Sequence, residues 1–225
     1  MVPKAWRDNS TIFAFVMEST FKHSKTYRFE TINNHANVKT VLYVLHGYGH
    51  LAKYFIQKFA HLSEDLMIVA PEGMHRFYLK GASGRVGASW MTKEIREVDI
   101  ADNINWLDAL DDEISKSHTI ERRILLGFSQ GGSTAIRWNI HGKVKFDALI
   151  VWASDFPPEE KENTEQLIDN QSHFIIGSND EFYDSKGQEQ LIDYYKSIGF
   201  KISTYIGTHD IHGDTLLKAI NLLHT

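Results

Sequence analysis

The sequence predicts an α/β protein with a mostly parallel central sheet of about eight strands, helices on both faces and no separate lid domain. Two observations carry this. Short, continuous apolar runs recur from Val41 onward, as suits strands buried on both faces, and segments with helical spacing separate them. The length, 225 residues, suits one domain spanning 1–225.

In chain order, Thr11–Val16 and Thr26–Thr31 read as β-like, the second alternating as a half-exposed strand does, and together they suggest an antiparallel pair at a sheet edge. Buried strands follow at Val41–Leu45, Leu66–Ala70, Ile124–Leu126, Ala148–Trp152, Phe174–Ile176 and Ile202–Ile206. Helical spacing marks Leu51–Leu62, Val98–Ile114, Thr134–Ile140, Leu191–Ile198 and Leu216–Leu223. The stretches Pro71–Ser89 and Ser154–Gln171 read as irregular and too short for a lid, which predicts an open cleft. In such a fold ligands bind beyond the carboxyl ends of the strands, so functional residues belong just after each strand.

Composition excludes several function classes. The net charge is -5 with scattered Lys and Arg, which offers no basic footprint for a nucleic-acid backbone. Cysteine is absent, so disulfides, a thiol nucleophile and thiolate metal sites are excluded. No window has the apolar length of a membrane span, and Met1–Arg7 lacks the pattern of a secretory signal, so a cytoplasmic protein is expected. Oligomeric state stays open between monomer and homodimer.

Gly127-Phe128-Ser129-Gln130-Gly131 is a G-x-S-x-G pentapeptide between a buried strand and a helical segment. A strand turning straight into a helix cramps its connecting residue, and flanking glycines remove the side chains that would collide there. Ser129 is thereby the candidate nucleophile. Such a pentapeptide arises by chance in roughly one chain in fifteen of this length, so its surroundings must decide. Asp180 follows the strand at Phe174–Ile176, His209 follows the last strand, and His46-Gly47-Tyr48-Gly49 follows an early one. Serine, acid, histidine is the chain order of a hydrolase triad on such a sheet. Backbone N–H groups of Tyr48 and Gln130 would then face the developing oxyanion. Gln130 is expected to act through its N–H and not its side chain.

With these residues the chain resembles the phospholipase/carboxylesterase group of α/β-hydrolases, small serine esterases that include acyl-protein thioesterases, and is similar above all to their bacterial branch. The resemblance spans about Thr40 to Leu223. It rests on His46–Gly49, Pro71-Glu72-Gly73 with Arg76-Phe77-Tyr78, Ala88-Ser89-Trp90, the extended elbow Gly127–Gly132, Asp180 and Gly207-Thr208-His209. It implies a carboxylesterase without cofactor or metal that forms an acyl-Ser129 intermediate on small to medium esters. Lysophospholipids and acyl thioesters are alternatives by the same chemistry, and a non-catalytic binding or sensing module is the alternative of another class.

For the base, the resemblance favours His209, since spacing alone does not separate it from His212. For the acid, Asp155 competes, and Asp180 is preferred because its strand directly precedes the histidine strand. Ser154-Asp155-Phe156-Pro157 stands where the family commonly has a serine-glycine turn, which bears on the pocket wall. Twelve histidines raise a metal hypothesis. His46 and His50 are separated by glycines that disfavour a shared helical face, and His209, Asp210 and His212 have no second cluster beside them, so no metal is expected. Gly81, Gly84 and Gly87 around Arg85 suggest a loop near the site rather than a phosphate cradle, with Arg85 able to meet a substrate carboxylate. Phe77, Trp90, Phe156 and Phe182 are the expected apolar substrate wall, with Tyr48, Tyr78 and Met91 nearby.

Overall fold

A computed structural model describes residues 18–167 and 171–223. Seven strands form one sheet in the order β1-β3-β2-β6-β7-β8-β9. They are β1 Phe29–Ile32, β2 Thr40–Leu45, β3 Leu66–Pro71, β6 Arg122–Phe128, β7 Ala148–Trp152, β8 Ser172–Gly177 and β9 Lys201–Tyr205. Only β1 runs antiparallel, against β3 with Phe29 opposite Pro71, and every other pairing is parallel. The expected partner run at Thr11–Val16 lies outside the described residues.

The central strands are mostly apolar because both faces are covered: β2 from Val41, all of β3, β7 and β8, and β6 from Ile124 are buried, with Ser172 and His173 at the start of β8 the polar exceptions. The helices are α1 Ala52–Phe55, α2 Arg96–Ser117, α3 Gln130–His141, α4 Ser185–Ser197 and α5 Gly213–Leu223. The expected helix over Leu51–Leu62 is one α turn that tightens into a 3-10 turn at Ile56–Phe59. Buried carboxylates on α2 are satisfied: Asp108 accepts from Trp138 Nε1 (2.9 Å) and from the Lys143 N–H (3.0 Å), and Asp111 from Tyr43 OH (2.7 Å) and Arg123 Nε (2.9 Å).

The stretch Pro71–Ser89, expected to be irregular, contains a hairpin, β4 His75–Tyr78 paired with β5 Val86–Ser89. Its second strand, Val-Gly-Ala-Ser, is too poor in large side chains to carry a strand signal. Small residues are required there, since a Cβ on Gly87 would stand 2.5 Å from the Gly49 carbonyl oxygen. The hairpin leans on the turn that follows β2. The strand order reverses between β2 and β6, and at such a switch point the loops after the two strands part to leave a crevice. The His46–Gly49 turn and Ser129 stand at its two edges, with Leu45 opposite Gly127 in the ladder.

Candidate active site

Ser129 joins β6 to α3 with φ 53° and ψ -125°, a conformation that an L-residue holds only when its surroundings enforce it. Three glycines enforce it. A Cβ on Gly127 would lie 2.2 Å from the Gly131 carbonyl oxygen, one on Gly131 2.2 Å from the Leu45 oxygen, and one on Gly132 2.4 Å from Ser154 Cβ. The Ser129 N–H donates to Trp152 O (2.8 Å), which ties the elbow to β7.

Asp180 is buried and its Oδ2 lies 2.7 Å from His209 Nδ1. Its other oxygen accepts the Phe182 N–H at 3.0 Å. An ionised carboxylate accepts only, so Nδ1 carries the proton and Nε2 keeps its lone pair. The His209 ring rests between Phe128 (4.8 Å between centroids) and Phe182 (4.3 Å). The backbone N–H of His209 donates to Glu181 Oε2 (3.1 Å), a tie that no spacing rule would find. Ser129 and His209 line one cleft of about 230 Å³, together with Ser133, Ser154, Asp155 and Phe182.

The competing residues lie elsewhere or face differently. His212 Nδ1 pairs with Thr215 Oγ1 (2.9 Å), its ring stacks on Tyr205, and it is absent from the cleft lining. Asp155 reaches the cleft but is exposed, and burial followed by the Asp155 charge raises the nearby Tyr183 hydroxyl. The departure at Ser154–Pro157 directly follows Ala153, which adopts φ 47°, a left-handed position that glycine would occupy without strain.

Two backbone donors, one following Ser129 and one following Gly47, where a Cβ would lie 3.1 Å from Ser129 Cβ, have no backbone acceptor among the described residues. Gln130 is the first residue of α3, where an N–H has no intrahelical acceptor, and the Tyr48 N–H has no partner among the described residues. One strut holds both. The end of β5, with the residues just after it, exchanges backbone bonds with the turn, Gly49 N–H to Ala88 O (2.8 Å) and Ala88 N–H to His50 O (3.0 Å). It also grips the Gln130 side chain, whose Oε1 accepts from Ser89 Oγ and the Trp90 N–H (both 3.1 Å) and whose Nε2 donates to Met91 O (3.0 Å). The expectation that only the Gln130 N–H matters is therefore incomplete, because its amide is what anchors the start of α3.

His46 serves the turn. Its Nε2 accepts the Gly73 N–H (2.9 Å) and its Nδ1 donates to Gly47 O (2.8 Å), and complete burial pushes its pKa down to about 4. The Glu72 carboxylate, also buried, accepts the first N–H of α1 at Ala52 (3.2 Å) and Arg76 Nε (2.6 Å). No group of three metal-ligating side chains is found among the described residues.

The expected substrate wall is only partly there. Phe182, 71 % exposed, lines the cleft. Phe77 pairs with Tyr48 (5.0 Å) over a different hollow. Trp90 is fully buried, its Nε1 donating to His46 O (2.8 Å), and Phe156 packs on Tyr194 and Tyr195. Both are core residues, drawn inward because a large ring gains more from burial than from rimming a loop.

A parallel sheet with a strained serine at its switch point, followed by a buried acid and a paired histidine, defines an α/β-hydrolase. The family profile of Phospholipase/Carboxylesterase matches residues 27–225, and the chain belongs to that family, an esterase-type hydrolase. Solved structures show the same fold. Esterase PE8 is 22 % identical (TM-score 0.63; 89 % of this chain and 99 % of that one covered). Acyl-protein thioesterase 2 of Zea mays is 17 % identical (TM-score 0.63; 88 % and 99 %), and the Bacillus cereus carboxylesterase 15 % identical (TM-score 0.62; 88 % and 93 %). No curated protein matches the chain. No helix among the described residues is long and apolar enough to cross a membrane.

Proposed function

We propose that the protein is a serine carboxylesterase that works without a cofactor, with Ser129 as nucleophile, His209 as base and acid, and Asp180 as the group that orients His209. The observation that carries this reading is the 2.7 Å contact between buried Asp180 and His209 Nδ1, in a cleft shared with a serine held at φ 53°.

His209 Nε2 takes the hydroxyl proton as Ser129 Oγ bonds to the ester carbonyl carbon. The carbonyl oxygen becomes an oxyanion, for which the N–H groups of Tyr48 and Gln130 are the donors. Collapse breaks the bond to the alcohol oxygen, which leaves with the proton from His209. Water then gives a proton to His209, attacks the acyl carbon, and returns Ser129 with its hydrogen. Asp180 keeps Nδ1 protonated throughout and stabilises the imidazolium. A cleft of about 230 Å³ favours small acyl groups over long chains. The same steps would cleave a thioester.

Kinetics on 4-nitrophenyl acetate test the assignment. His209→Ala should lower kcat by about a thousandfold or more, whereas His212→Ala should change it less than about threefold. The reverse outcome would move the base to His212. Acyl-chain profiling with 4-nitrophenyl esters should peak at short chains.

A further inference from the structure

A second hollow, of about 640 Å³, lies between α1 and the tip of the β4–β5 hairpin. Lys53, Lys58 and Arg85 all line it, and none of its ten lining residues is acidic. This is unusual for a chain of net charge -5, which spreads its cations elsewhere. Among the described residues neither Lys53 nor Arg85 has a carboxylate in ion-pair reach, and Lys53 lies only over the Tyr54 ring (4.6 Å). Lys58 is held at one side by Asp210 (2.6 Å).

Two ring contacts link the hollow to His209. Asp210 directly follows His209. His50, on the hollow wall, stacks parallel on Phe128 (5.7 Å, 2°), and Phe128 in turn touches the His209 ring. Gly49, next to the proposed oxyanion donor Tyr48, is also on its wall. The hollow and the Ser129 cleft share no lining residue, so one can hold a part of the substrate that the other does not. Its size suits a substituent larger than a bare ion, and an arginine fork beside two ammonium groups suits a carboxylate or phosphate.

We propose that this hollow is a subsite for an anionic group on the substrate, so that the preferred esters carry a carboxylate or phosphate on one of their halves. The proposal rests on the hydrolase reading above. Hydrogen-bonding donors on flexible stems would pull the charged end into place and raise kcat/KM, with an effect that salt screens.

The test compares mono-4-nitrophenyl glutarate, with its anion on the acyl half, and 3-carboxy-4-nitrophenyl butyrate, with its anion on the leaving half, against neutral 4-nitrophenyl butyrate. The ratio of kcat/KM for one anionic ester over the neutral one should be at least about tenfold at low salt. It should fall in 0.5 M NaCl and collapse in the double variant Lys53→Gln/Arg85→Gln. Which anionic ester is favoured tells which half enters the hollow, and stronger competition by inorganic phosphate than by glutarate would assign phosphate over carboxylate. Binding of the same esters to Ser129→Ala provides a readout free of turnover. Hydrolysis without any anionic preference, or a preference that the double variant leaves intact, would overturn the subsite. Anionic preference in binding without hydrolysis by the wild-type protein would instead overturn the esterase reading and leave the subsite standing.

Discussion

On one side of His209 the chain is held by backbone in contact with backbone; on its other side it is held by side chains that meet solvent. The elbow belongs to the first kind: Gly127, Gly131 and Gly132 leave no room for a methyl group, Ser129 is bound to β7, and Asp180 is buried beneath the histidine. The rim belongs to the second kind. Phe182 covers the imidazole while 71 % exposed, Tyr48 is 59 % exposed, and around the second hollow Lys58 is paired with Asp210 whereas Lys53 and Arg85 have no carboxylate in ion-pair reach among the described residues. A close-packed frame can hold reacting atoms to fractions of an ångström, whereas an exposed rim can change its chemistry without disturbing that frame. On the proposed function, the frame would fix the chemistry and the rim would set selectivity.

Substitutions can break this contrast. The largest effect is expected at Asp180→Asn, which keeps the shape but favours the wrong tautomer of His209; kcat should fall about 10⁴-fold with little change in KM. A loss below tenfold, in steady-state assays on folded protein, would argue that Asp180 is structural only.

Next is the pH dependence of the frame. His46 is neutral in the fold down to about 4 and has an ordinary value of 6.5, so between these values the unfolded chain binds the extra proton. Its contribution to stability is fully present above 6.5 and is lost as the pH falls towards 4, by up to about 3 kcal/mol. Urea unfolding at pH 7, 5.5 and 4.5 should show the decline, and His46→Asn should flatten it.

Gln130→Ala removes the tie between α3 and the strut at Ser89–Met91. The proposed oxyanion donors would lose their alignment, lowering kcat about tenfold to a hundredfold while KM holds, and Gln130→Glu should fall between because it keeps the accepting oxygen. Phe182→Ala, on the exposed rim, should alter kcat/KM less than about threefold. A larger loss there would show that the rim shares in positioning His209.

The contrast also explains what was legible in the sequence. The elbow could be read because steric exclusion leaves a residue signature: glycine is the only answer to a Cβ 2.2 Å from a carbonyl oxygen. Buried parallel strands were legible for a similar reason, since both faces demand apolar residues. Side-chain ties between distant segments leave no such mark. The Gln130 amide bonds residues about 40 positions away, and Glu181 reaches the His209 backbone across 28. The hairpin at His75–Ser89 escaped because Gly87 and Ala88 are chosen for closeness to the Gly49 turn, which removes the side chains that make strands recognisable. Trp90 and Phe156 were misplaced because a loop position says nothing about which way an aromatic ring turns.

The most direct measurement is labelling with a fluorophosphonate, located by mass spectrometry of the digested protein. A single covalent adduct on Ser129 is expected, formed by the wild-type protein and strongly suppressed in His209→Ala and Asp180→Asn. Folded wild-type protein that takes no label at Ser129, or labels equally well without His209, would contradict the proposed triad.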